Sequence, residues 1–162
     1  MGDLLWYVAH TRPRCEKKLT DYCERQGFKV TLPLYRSVKK YDRKTAVFEK
    51  PLFPNYVFLQ LEPQQRQKVY QSDYVANLLD VPDQETFQNQ LGDILLSLET
   101  GLEIVLAPEI TPGSRVKITG GPLRGLEGFV ETRSGATFVH LRLDFIAQGV
   151  AVKVDASDLE LT

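Results

Sequence analysis

The run Pro112-Gly-Ser-Arg-Val-Lys-Ile-Thr-Gly-Gly-Pro-Leu-Arg-Gly-Leu-Glu-Gly-Phe-Val130 constrains the fold more than any other part of the chain. Val116 and Ile118 alternate with Arg115, Lys117 and Thr119, the period of a half-buried strand. Gly120 and Gly121 permit positive φ ahead of Pro122, and Gly125 and Gly128 let the chain re-enter the sheet beside Phe129. The pattern reads strand, turn, strand, which on spacing alone any β-hairpin would satisfy. Further strands are predicted at about 125–132, 137–143 and 150–154, with Asp155 to Leu161 closing a small five-stranded antiparallel barrel.

The preceding hundred residues mix both periods. Leu4 to Ala9 reads as a buried strand, and Pro13 as the first turn of a helix running to Gln26, with Gly27 as its C′ residue. On that helix Cys15, Leu19, Tyr22 and Cys23 face a core, while Arg14, Lys18, Asp21 and Arg25 line another face. Strands are predicted at Phe28 to Leu34 and around Thr45 to Phe48. Between them Arg36, Lys39, Lys40, Arg43 and Lys44, with Tyr41 among them, suggest an exposed hairpin or a solvated loop. From Asn55 to Leu61, Tyr56, Phe58 and Gln60 fall on one side and Val57, Leu59 and Leu61 on the other. Outward-facing Tyr56 and Phe58 would want a partner; under a helix they would be ordinary core. A short helix to Gln71, a strand from Tyr74 to Val81, and a helix from Gln84 to Glu99 follow, the last with Phe87, Leu91, Ile94, Leu95 and Leu98 as its apolar stripe. The connector Pro108-Glu-Ile-Thr-Pro112 marks a boundary, giving domains over 1–104 and 112–162 with a linker at 105–111.

Charge is uneven along the chain. Residues 1–60 carry twelve Lys/Arg against six Asp/Glu, net +6; residues 61–111 carry two against nine, net −7; residues 112–162 carry six of each. The basic end has the electrostatic footprint of a phosphate-backbone contact. No apolar run reaches the roughly 20 residues of a membrane span and the start has no basic leader, so a cytoplasmic monomer is expected. Cys15 and Cys23, about 12 Å apart along one helix, cannot form a disulfide.

Enzymatic constellations are missing from the sequence. His10 and His140 fall in different domains, and Cys-x-x-Cys and His-x-x-x-His spacings are both lacking, so neither metal nor cofactor is expected. The glycine run lacks the Gly-Lys-Ser/Thr of a P-loop. A lone strand histidine is ordinarily structural, and Asp155 with Asp158 has no third ligand.

Leu5-Trp-Tyr-Val8, then Lys50-Pro-Leu-Phe-Pro-Asn-Tyr-Val-Phe-Leu-Gln60, then the glycine-rich run as a KOW motif, closely resemble the NusG-type transcription elongation factors in order and over nearly the whole chain. The resemblance implies an α+β chain: an N-terminal α/β sandwich with antiparallel sheet, then an SH3-like β-barrel. It implies a non-enzymatic elongation or antitermination factor that binds the RNA polymerase clamp and raises processivity. Contacts carried over for the clamp are His10, Phe53, Tyr56, Phe58, Ile94, Leu95 and Leu98. Arg12, Arg14, Lys17 and Lys18 resemble the surface that specialised members turn toward the non-template DNA strand. Phe145 and Ile146 match the region that meets a small-subunit ribosomal protein or Rho, although as apolar residues at a barrel tip they could instead cap their own core. Asn55, where many general members have glycine, points to an RfaH-like paralogue. Arg66-Gln-Lys-Val-Tyr70 lacks the His-Thr-Thr of RfaH-like members, which puts a second polymerase contact in doubt. KOW barrels also occur in RNA-binding and ribosome-associated proteins, an alternative opposed by the neutral charge of 112–162. Whether 112–162 form strands or a helical hairpin is weighed by Gly149, which costs roughly 1 kcal/mol inside a helix, and by the alternation of Phe138, His140 and Arg142 with Val139, Leu141 and Leu143; both favour strands.

Overall fold

The computed structural model describes residues 3–107 and 113–162, which divide by contacts into two compact units, 1–84 and 85–162. The connector at 108–112, where the sequence places the boundary, lies outside the described residues.

In the first unit the strands β1 (Leu5–Thr11), β2 (Lys29–Thr31), β5 (Tyr56–Leu61) and β6 (Val75–Asp80) form an antiparallel sheet in the order β2-β5-β1-β6. Helices α1 (Glu16–Arg25) and α2 (Arg66–Tyr70) complete the layer pair. Register fixes which side chains share a face, because directly paired residues point the same way. Tyr7 pairs with Leu59 and Ala9 with Val57, and these join Leu19 and Cys23 of α1, Val69 of α2, and Val75 and Leu78 of β6 in one core. The opposite face carries the pairs Val8–Phe58 and His10–Tyr56. Two further strands, β3 (Leu34–Tyr41) and β4 (Lys44–Pro51), pair with each other over their whole length and with no other strand among the described residues.

Helix α1 starts later than Pro13. Arg14 has φ 61°, outside the right-handed helical region, so the helix begins after Cys15 and leaves Pro13 and Arg14 in the preceding turn. Its other end matches the sequence: Gly27 donates its N–H to the Glu24 carbonyl (3.0 Å) and Phe28 to that of Cys23 (2.9 Å), the paired bonds of a Schellman stop. Both cysteines are free thiols, Cys23 buried and Cys15 half-buried.

The second unit contains almost all of α3 (Gln84–Glu99) and a six-stranded antiparallel sheet ordered β12-β8-β9-β10-β11-β7. Its strands are β7 (Ile104–Ala107), β8 (Arg115–Ile118), β9 (Glu127–Arg133), β10 (Ala136–Leu143), β11 (Gln148–Lys153) and β12 (Leu159–Leu161). The predicted strands are present: 137–143 and 148–153 are extended and joined by a single 3-10 turn, not folded as a helical hairpin. Two points differ from a closed five-stranded barrel. The sheet ends at β12 and β7, which are not paired to each other among the described residues, and β7, from the expected linker region, adds a sixth strand beside β11. The glycine pattern has two distinct causes. Gly125 has φ 97°, which side-chain-bearing residues rarely adopt, whereas a Cβ on Gly128 would come within 2.5 Å of the His140 carbonyl oxygen across the β9–β10 ladder.

Candidate functional site

The turn that delivers β5 to the sheet is tightly held. Leu52 and Phe53 are buried, Pro54 is exposed, and Asn55 takes φ 71°, a conformation asparagine tolerates better than most residues. Asn55 is held twice: its N–H donates to the Glu16 carboxylate (3.1 Å) and its carbonyl accepts from Thr11 N–H (2.8 Å). Glu16 is buried at the start of α1, so its side chain ties the helix to the turn, and the turn's Asn55 carbonyl in its place holds the end of β1.

On the sheet face away from α1 and α2, His10 is exposed and Tyr56 half-buried, with ring centroids 5.5 Å apart. Phe58 and Phe53 are fully buried and meet edge-to-face at 6.0 Å. The four candidate residues of this unit therefore separate into a reachable pair, His10 and Tyr56, and a buried pair, Phe53 and Phe58. The sequence could say which residues share a face, but not which of them are exposed. Of the α3 candidates in the second unit, Ile94 is buried and Leu95 and Leu98 are half-buried; Leu96, absent from the predicted stripe, is 42% exposed.

Arg12, Arg14, Lys17 and Lys18 are all exposed. Only Lys17 and Lys18 lie on α1, in its first turn, where the positive end of the helix dipole adds to their charge. Lys17 Nζ donates to the Glu49 carbonyl of β4 at 2.6 Å, placing the start of α1 against the base of the β3–β4 ribbon, a contact that sequence spacing could not reveal.

In the second unit Phe145 and Ile146 sit on a single 3-10 turn, Asp144–Ile146, and are half-buried. Asp144 exchanges two hydrogen bonds with Gln90 of α3, accepting from Nε2 (2.8 Å) and donating its N–H to Oε1 (2.9 Å); Phe145 meets Phe87 edge-to-face at 6.2 Å. His140, 3% exposed, pairs through Nε2 with the Glu131 carboxylate, which also binds Arg133. Burial pushes its pKa below the usual histidine value, against the pull of Glu131. Its surroundings satisfy it as a structural histidine. Among the described residues no group of three or more His, Cys, Asp or Glu side chains could hold a metal ion, and no helix is long and apolar enough to cross a membrane.

Among curated proteins none matches the chain. A family model described as transcription termination factor nusG matches residues 4–89, more than half of the 162 residues and including the whole β1-to-β6 sheet, its turn at Asn55 and the start of α3. The chain belongs to the NusG family.

Proposed function

We propose that the chain is a transcription elongation factor that binds RNA polymerase through the exposed side of its first sheet and acts without catalysis. The observation that carries this reading is the His10–Tyr56 pair: an aromatic pair accessible on the sheet face opposite the helices, within the segment matched by the family. Tyrosine supplies large, rigid contact area at low entropic cost, and such residues dominate protein interfaces. Phe53 and Phe58 are buried and packed against each other, Phe58 on the same sheet face as the pair. Leu95 and Leu98, with Ile94 as their buried support, are the second unit's proposed clamp contacts.

Binding that favours the closed, processive polymerase raises processivity by population shift, with no bond made or broken. Arg12, Arg14, Lys17 and Lys18 then serve the non-template strand as cations around the positive end of α1. Phe145 and Ile146 are assigned to a small-subunit ribosomal protein or Rho, on a KOW module of SH3-like type. Asn55 supports an RfaH-like, operon-specialised role: its left-handed backbone explains why glycine and asparagine both suit the position.

The test is retention of RNA polymerase by immobilised full-length chain. Tyr56→Ala and His10→Ala should each weaken it, Tyr56→Ala by roughly 30-fold or more, the scale of a hot spot. Phe58→Ala is the wrong probe because emptying a fully buried phenylalanine site costs about 3–5 kcal/mol of stability. A folded Tyr56→Ala chain that retains polymerase like the parent, or a parent chain that captures ribosomal subunits in its place, would overturn the reading.

A further inference from the structure

The β3–β4 ribbon has no part in the polymerase docking proposed above. It spans 34–51 and carries Arg36, Lys39, Lys40, Arg43, Lys44 and Lys50 against Asp42 and Glu49, six positive charges to two negative. Its turn is two residues, Asp42-Arg43, and its register separates two faces. One face places Arg36 opposite Glu49 and Lys40 opposite Thr45, with Val47 nearby. The other places Tyr35 opposite Lys50 and Tyr41 opposite Lys44, with Phe48 between them. Each tyrosine on this second face thus has a lysine directly across the ladder, at the 4.5–5.5 Å Cβ separation typical of such pairs. Tyr41 is 56% exposed and Phe48 43%. From Tyr35 to Tyr41 the face runs about 20 Å, at roughly 3.3 Å per residue.

We propose that this face of the ribbon binds single-stranded nucleic acid, with bases stacked on Tyr41 and Phe48 and phosphates held by Arg43, Lys44 and Lys50. Charge complementarity selects a polyanion, and the aromatic residues select which polyanion. An acidic protein surface would use the cations and leave two large rings in water, whereas a nucleic-acid strand offers both a phosphate row and π-faces at every unit. The Lys17–Glu49 hydrogen bond, made to a backbone carbonyl, places the base of the ribbon beside the basic start of α1, so the ribbon lies next to that surface instead of forming a remote second one. Stacking is tolerant of base identity, which suits a strand met along its whole length and not at one sequence. Strand binding of this kind is a property of the free chain and does not depend on polymerase.

The test uses the full-length chain and labelled oligothymidine and oligouridine of about 15 nucleotides, followed by fluorescence anisotropy across a salt series. The parent should bind, with log affinity falling linearly in log salt. Tyr41→Ala with Phe48→Ala should weaken binding about 10-fold or more while leaving the salt slope in place. Arg43→Gln with Lys44→Gln should lower the slope by about 0.7 for each phosphate no longer neutralised. Should the alanine pair perturb the ribbon, Tyr41→Leu with Phe48→Leu keeps apolar bulk without aromatic faces and should show the same loss. Tyr56→Ala should bind the oligonucleotide like the parent, which separates failure here from failure of the polymerase reading. Binding of either aromatic variant within twofold of the parent, or competition by polyglutamate as strong as by unlabelled oligonucleotide, would overturn the proposal. A difference between the two oligonucleotides assigns the strand as DNA or RNA.

Discussion

Where β6 ends at Asp80, opposite Tyr7, β1 has no β6 partner at Trp6, and on that side the side chain of Gln84 takes the place of a peptide group. Its Oε1 accepts from the Trp6 N–H at 2.6 Å, while Nε2 donates to the Trp6 carbonyl at 3.0 Å and to the Val81 carbonyl at 2.9 Å. One primary amide thus extends the ladder and fixes the first residue of α3. Replacing Gln84 by alanine removes three neutral hydrogen bonds, each worth about 1 kcal/mol net. Water reaching this half-buried site recovers part of that loss, so the deficit should be about 2 kcal/mol, or roughly 4–8 °C in melting temperature for a chain of this size. Trp6 is the only tryptophan and lies in the first unit, so its fluorescence follows the relevant transition. Gln84→Glu is the sharper variant. Its carboxylate accepts from Trp6 N–H but faces two carbonyl oxygens with no proton to offer, so at neutral pH it should be at least as damaging as alanine. Those carbonyls favour the protonated acid and raise its folded pKa above the roughly 4.3 of an unfolded glutamate. The folded state then binds more protons, and the deficit should shrink as pH falls through the raised value. A Gln84→Ala chain within about 0.5 kcal/mol of the parent, half the net worth of a single hydrogen bond, or a Gln84→Glu deficit independent of pH, would refute the role of Gln84 as a surrogate peptide.

Cys23 is buried with its pKa pushed up to about 12, first by burial and then by Glu24, whereas Cys15 is half-buried; a thiol reagent should therefore label one cysteine quickly in the native chain and the second only on unfolding. Rapid labelling of both would contradict the packing of Cys23. Burial lowers the folded pKa of His140 below the unfolded value of about 6.5, so the unfolded state binds more protons between the two values. Stability of the second unit should consequently be complete above about pH 6.5 and fall on acidification through that window, and His140→Gln should flatten this part of the profile in urea unfolding. Stability that rises on acidification there would reverse the assignment.

Local periodicity was enough to locate β5 and to divide its residues between two faces, because alternation is a property of consecutive side chains. It also located α3 and the strands of the second unit. Pro13 misled because a proline at a helix start and a proline in the turn before it look alike; the deciding fact is the left-handed Arg14, which no side-chain pattern encodes. Long-range pairing was equally hidden. The basic stretch 36–44 suggested a hairpin or a loop without deciding between them or fixing a register of eight residues against eight, and Lys17 gave no sign of its bond to Glu49. Among the site candidates, Tyr56 and Phe58 are equivalent by pattern and differ only by what covers them, a matter of tertiary packing.

Strand β7 bears on how the C-terminal half behaves when detached. It pairs with Gly149 to Val152 of β11, and cutting the chain at the connector would strip it away. That would uncover a row of unpaired backbone donors and acceptors flanked by Val150 and Val152, both fully buried in the intact chain. Such an open valine-rich border is a template for self-association between copies. A fragment beginning at residue 112 would be prone to aggregate by strand addition, and one that includes Ile104–Ala107 would carry its own cover.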